Sequence, residues 1–180
     1  MSKPAQMYDH ELNPVKGWPS PYAVDKAAHV DLETGEVVNR GMVMSLNAAG
    51  NFQLGLACAA MPIFALNSSG DFDVVGDDGN LVGSGTGVSN MSGLVAVTAL
   101  EVESTEFDTT EVYLPNQALT AGAPGAADAG VIKPGVFYTD TICGVVSDGA
   151  VINEFRKSVL RFWPIFLPAL ECPPVSSEQA

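Results

Sequence analysis

"FDTTEVYLPNQALTAGAPGAADAGVIKPGVFYTDTICGVVSDGAV" occupies residues 107–151. Short apolar runs alternate here with turns rich in Gly and Pro. "EVYL", "NQALTA", "VIKPGVFY" and "TICGVVS" have strand length, and "GAPGAADAG" reads as a loop between two of them. Strand-length runs at fairly regular spacing argue for an all-β barrel or sandwich. The same stretch holds acids, hydroxyls and two tyrosines, but no histidine, no arginine and a single lysine. It is a well-patterned β segment without acid–base chemistry.

The β reading extends in both directions. "HVDLETGEVV" (29–38) places two apolar runs around the hairpin signal "ETGE". "GMVMSLNAAGNFQLGLA" (41–57) repeats this, with Met42, Met44 and Leu46 alternating against Val43 and Ser45 before the turn "NAAGN". In "DFDVVGDDGNLVG" (71–83), Asp78-Gly79 supplies residues that tolerate positive φ in a tight turn. "GLVAVTALEVESTEF" (93–107) reads as the longest strand, and its continuous apolar run implies cover on both faces. A helix in "GAVINEFRKSVL" competes with a last strand in "SVLRFWPIFLP" (158–168). Pro164 and Pro168 favour the strand.

Three parts follow: an arm over residues 1–27, a single β domain over 28–172, and a tail over 173–180. Pro4, Pro14, Pro19 and Pro21 oppose helix and ladder in the arm. Tyr8, Trp18 and Tyr22 are unusual for a solvated tail, because disordered segments are poor in aromatics. They read as anchors for a partner or a neighbouring subunit. Deleting residues 1–25 is therefore expected to leave the domain folded and remove its binding.

The chain has 180 residues, 47% of them hydrophobic and only 16% charged. Such a surface suits a subunit partly covered by partners. The formal net charge is −13, from 8 basic and 21 acidic residues. Binding nucleic acid takes clustered Lys and Arg that displace counterions, so nucleic acid is excluded as a partner, and an anionic membrane with it. No basic residue lies between Arg40 and Lys133. Arg156, Lys157 and Arg161 form a late basic group that could meet an acidic patch on a partner or neighbour.

Cys58, Cys143 and Cys172 make an odd set without a CxxC pair, which suggests neither a disulfide framework nor zinc. Cys58 and Cys143 read as small buried residues. Cys172 reads as exposed and available for a bond between subunits. The N-terminus has no apolar core of signal-peptide type. The uncharged run 79–100 is too rich in Gly, Ser and Asn for a membrane helix. A soluble, cytosolically made protein is expected.

Catalytic patterns fail one by one. His10 and His29 have no histidine at ligand spacing. "GVSNM" places Met91 where a nucleophile elbow needs Gly. "GSGTG" (83–87) lacks the lysine of a phosphate loop. After Asp71 and Asp73 the calcium-loop frame is broken by Val75 and Gly76. Glu101 and Glu103 share a strand face and read as exposed, without a glycosidase cleft. No catalytic residue, metal site or cofactor is expected.

Three stretches carry a resemblance: "GEVVNRGMVMSLNAAGNFQLG", "FDTTEVYLPNQALTA" and "DTICGVVSDG". Over roughly residues 36–150 the chain resembles the head decoration, or capsid cement, proteins of tailed bacteriophages. Asn116 in the "LPNQ" turn stands where that family more often has Gly. The resemblance implies a small β-barrel or β-sandwich, β-tulip-like, with an extended N-terminal arm. It implies a virion protein, made in the bacterial cytoplasm, that binds the outer surface of the capsid. The partners implied are the major capsid protein and copies of itself, a homotrimer or a dimer. Neither cofactor nor enzyme activity is implied. Tyr8, Trp18, Tyr22, Arg156, Lys157 and Arg161 are the expected contacts, inferred from residue type and position. The alternatives are another phage β protein, such as a tail tube subunit, and a soluble β-barrel ligand carrier.

Overall fold

The computed structural model describes residues 12–16, 25–31, 37–66, 68, 74–75, 81–82, 90–95, 100–153 and 157–172. Within these the chain forms thirteen β-strands and no helix, so the all-β expectation holds. The strands are β1 (Leu12–Lys16), β2 (Asp25–Asp31), β3 (Val43–Leu46), β4 (Phe52–Leu54) and β5 (Ile63–Ala65). Then come β6 (Val74–Val75), β7 (Leu81–Val82), β8 (Asn90–Val95) and β9 (Glu101–Ser104). The last are β10 (Ala118–Ala121), β11 (Ile132–Pro134), β12 (Ile142–Ile152) and β13 (Ser158–Leu167).

One sheet has six strands in the order β1-β9-β13-β12-β10-β11, all antiparallel. It is open, with β1 and β11 at its edges. In a second group β2, β4, β3, β5 and β8 pair in that order and β8 pairs back onto β2, with only β2 and β4 parallel. β6 and β7 form a separate hairpin. The molecule is therefore not one closed barrel.

Alternation along the short strands builds two apolar layers. Side chains of successive strand residues point to opposite faces. On β3, Met44 joins a cluster with Phe52, Leu54 and Ile63 within the five-strand group, while Val43 points the other way. On β5, Ile63 and Ala65 face inward and Phe64 faces out. Val43, Phe64 and Leu94 pack against Leu119, Leu160 and Phe162 of the six-stranded sheet. Phe64 and Phe162 meet with ring centroids 5.5 Å apart. Residues buried on both faces explain the continuous apolar runs of these strands.

The loop 122–130 is a joint between the two groups. Gly130 O accepts from the Val43 amide at 2.9 Å, and Gly122 O accepts from the Leu56 amide at 2.9 Å. A β-carbon on Gly55 would lie 2.6 Å from the Pro124 nitrogen, and Gly55 has φ +99°. Only glycine allows both that backbone and that approach.

Several sequence expectations hold locally. Residues 41–57 form the β3–β4 hairpin, Val74–Val75 pairs with Leu81–Val82, and 158–167 is a strand. Asn116 in the "LPNQ" turn has φ +66°. After Gly, Asn is the residue that adopts this conformation most readily.

Others are corrected. Residues 93–107 do not form one strand: β8 and β9 belong to different sheets. The longest strand is β12, with 11 residues. "EVYL" is not a strand, because Tyr113 instead turns its hydroxyl to the Asp108 carbonyl at 2.9 Å. Val37 and Val38 lie outside the strands, and β2 pairs with β4 and β8. Pro14 lies in β1, on the sheet's edge and beside a register shift, where a missing donor is tolerated. Leu12 belongs to the core, so part of the expected arm is sheet.

Candidate interaction surface

Three segments far apart in sequence meet at one end of the six-stranded sheet: 57–61, 136–141 and 167–172. The turn after β11 is closed by Asp140, whose carboxylate accepts the Val136 amide at 2.8 Å. The Thr139 and Asp140 amides both donate to Val136 O. Thr141 Oγ1 accepts the Ala59 amide at 2.7 Å, and the Leu170 amide donates to Tyr138 O at 3.0 Å. A disulfide joins Cys58 to Cys172 across 114 positions, with Cα atoms 5.7 Å apart.

These stitched segments present apolar side chains to solvent. Met61, Val136, Phe137, Tyr138, Leu167 and Leu170 are all exposed, Tyr138 at 71% and Leu170 at 75%. Tyr138 has φ +71°, unusual for a bulky side chain, and Ala59 in the second segment has φ +56°. Backbone held in this region costs free energy and collects at binding sites. Phe137 and Tyr138 lie with ring centroids 6.5 Å apart. Asp140 and Glu171 are the only charged residues in the three segments. The surface is thus predominantly apolar.

The disulfide corrects two expectations. Cys58 is exposed, not buried, and Cys172 is bonded within its own chain, not between subunits. Cys143 is buried as expected, and desolvation pushes its thiol up to about 12.

Of the expected contact residues Lys157 and Arg161 are described, and neither belongs to these three segments. Tyr8, Trp18, Tyr22 and Arg156 lie outside the described residues. Lys157 is half-buried in the turn joining β12 to β13, its amide donating to Asn153 Oδ1 at 3.0 Å. Arg161 Nε lies 3.3 Å from Glu103 Oε2, inside its own sheet. Asn153 Nδ2 donates to the other Glu103 oxygen at 3.3 Å. Glu101 and Glu103, expected at an exposed face, are 2% and 7% exposed.

The apolar surface left a trace that sequence reading assigned elsewhere. "GVFY" follows Pro134 at the end of a strand-like run, and "FLPAL" straddles Pro168 at the end of the last one. Consecutive large apolar residues beside a proline can equally mark an exposed turn.

Among the described residues no group of three or more His, Cys, Asp or Glu could hold a metal ion. No helix there is long and apolar enough to cross a membrane. Comparison with protein-family models, curated proteins and solved structures finds no match to this chain.

Proposed function

We propose that this is a structural protein of a phage virion that binds the outer surface of the capsid shell and stabilises it. The observation that carries the reading is the exposed apolar surface around Tyr138 and Leu170. Aromatic and large apolar anchors supply most of the energy at protein contacts. A net charge of −13 turns the molecule away from packaged DNA and toward a protein partner. The likeness of residues 36–150 to head decoration proteins supplies the partner class, the major capsid protein, and self-association as a trimer or dimer. In this reading the open sheet and the five-strand group make up a β-tulip-like body. Many copies, each bound modestly, add up to strong reinforcement.

The test is binding of the purified chain to expanded heads lacking decoration and to unexpanded proheads. Saturable binding to expanded heads alone is expected. Tyr138→Ala and Leu170→Ser should each weaken it by tenfold or more, as for anchor residues, with thermal midpoints unchanged. Binding to neither shell would overturn the reading. Undiminished binding by both variants, with loss on Lys157→Glu, would move the contact to the β12–β13 turn.

A further inference from the structure

Among the described residues, segment 168–172 is held at its far end by few attachments. Ala169 is buried, the Leu170 amide donates to Tyr138 O, and Cys172 is bonded to Cys58. Leu170 and Glu171 are exposed, and so are both bonded cysteines. Neither Cys58, Cys172 nor any residue of 168–172 belongs to the apolar clusters that hold the sheets together. The bond therefore ties a surface segment to a surface turn and sits in reach of small thiols.

We propose that the Cys58–Cys172 bond is a redox-operated clasp that assembles the apolar surface around Tyr138. With the bond formed, 168–172 lies against the 136–141 turn, and Leu170 stands beside Tyr138. Opening takes two thiol groups of a small dithiol. A thiolate attacks one protein sulfur, forming a mixed disulfide and releasing the other sulfur as a thiolate. The second thiol of the reagent then closes its own disulfide, and both cysteines leave as thiols. Closing reverses this with a small-molecule disulfide, which accepts the two electrons and becomes two thiols. Cys143 stays outside the exchange. It is buried and held in the thiol form, whereas the thiolate is the attacking species.

Among the described contacts, opening leaves the 168–172 segment with the Leu170–Tyr138 backbone hydrogen bond, the buried Ala169 and a weak contact of Cys58 Sγ with Glu171 O at 3.9 Å. Exposed hydrogen bonds with little packing belong to the least stable parts of a fold. Each time that remaining bond frays the Tyr138 carbonyl loses its partner, and the 57–61 turn has lost its covalent tie to the C-terminal segment. The clasp is a property of the isolated chain and goes beyond the capsid reading.

The test is amide hydrogen exchange on the full chain, oxidised with glutathione disulfide or reduced with dithiothreitol. Thiols are counted under denaturing conditions in each state. One free thiol is expected in the oxidised chain and three in the reduced one. Reduction should speed exchange at the Leu170 and Ala59 amides by tenfold or more. The Val146 amide, bonded to Gln117 O inside the six-stranded sheet, should remain strongly protected in the reduced chain. Cys58→Ser and Cys172→Ser should each show the reduced pattern with or without reductant. Three free thiols after oxidation would overturn the proposal, as would unchanged exchange at Leu170 and Ala59. Loss of protection at Val146 along with Leu170 and Ala59 would also overturn it, because reduction would then unfold the whole chain and not open a local clasp.

Discussion

Glu103 stands on a strand face that period-two alternation assigns to water, and it is buried. Its register partner on β13 is Arg161, and that pairing meets the charge across the ladder. Alternation tells which residues share a face; it does not tell what covers that face, so this burial was not legible in the sequence. Removing Arg161 leaves a buried carboxylate with a lost partner. Arg161→Ala should lower the unfolding free energy by about 1–3 kcal/mol, the usual penalty for stripping a buried polar group. Urea denaturation of both single variants and of Arg161→Ala with Glu103→Gln completes the cycle. The double variant should be less destabilised than the sum, and strict additivity would mean that the pair contributes nothing. Two buried acids also make stability fall at alkaline pH. Burial raises the Cys143 thiol from 9.0 to about 12. It raises the Tyr113 phenol above its ordinary 10.0 as well, with Asp108 and Glu111 adding repulsion to the phenolate. Both groups are neutral below their unfolded values, so their stabilisation is complete there. It is lost as pH rises, first above about 9 for the thiol and then above about 10 for the phenol. The slope per group approaches about 1.4 kcal/mol per pH unit. Urea unfolding from pH 8 to 11 should show this decline, and Cys143→Ala should remove its first part.

The strands show where local pattern suffices and where it stops. Residues 41–57 were legible because a strand, an Asn/Gly turn and a second strand pair with one another. Ser158–Leu167 was legible because prolines oppose the competing helix. Pro164 is accommodated since the β13–β9 ladder ends at Phe162. Residues 93–107 misled because their apolar run serves two sheets, and the break between β8 and β9 is set by long-range partners. Gly93 marks the crowded side of β8. A β-carbon there would lie 2.2 Å from Ile63 Cγ2 and 3.5 Å from both Met44 and Phe52 side chains. Gly93→Ala should therefore cost about 1–3 kcal/mol by overpacking. Adding Ile63→Ala removes the clashing methyl, so the double variant should lose less than the sum of the two changes in urea titrations. The N-terminal strand supplies a further test. Because Leu12 is core and β1 covers β9, removing residues 1–16 should destabilise the fold by about 2–5 kcal/mol, as for loss of a buried Leu. Thermal melting of the truncated chain would show the loss.

At the scale of the whole molecule, the features that matter join positions no local pattern connects. All-β architecture was legible from strand and turn spacing. The apolar surface was not legible, since its segments lie near residues 59, 138 and 170 and meet only after folding. The cysteines illustrate the same limit. An odd count without a motif gave no reason to join Cys58 to Cys172, because their approach depends on 114 intervening positions. That separation also sets the size of the effect. Cross-linking acts mainly on the unfolded chain, and closing a loop of this length removes entropy equivalent to about 5 kcal/mol at 25 °C in the loop-closure model. The native side of the balance changes little, because the bond ties two exposed turns and the core clusters stand apart from it. Reduction should therefore lower the unfolding free energy by up to about 5 kcal/mol while the reduced protein remains folded. Guanidinium titrations with and without dithiothreitol would show the midpoint moving down, with native circular dichroism preserved before the transition. Cys58→Ser should match the reduced wild type and ignore the reductant. A midpoint indifferent to reduction would mean that the unfolded chain gains no freedom when the loop opens, and loop closure would then not be the source of the bond's effect.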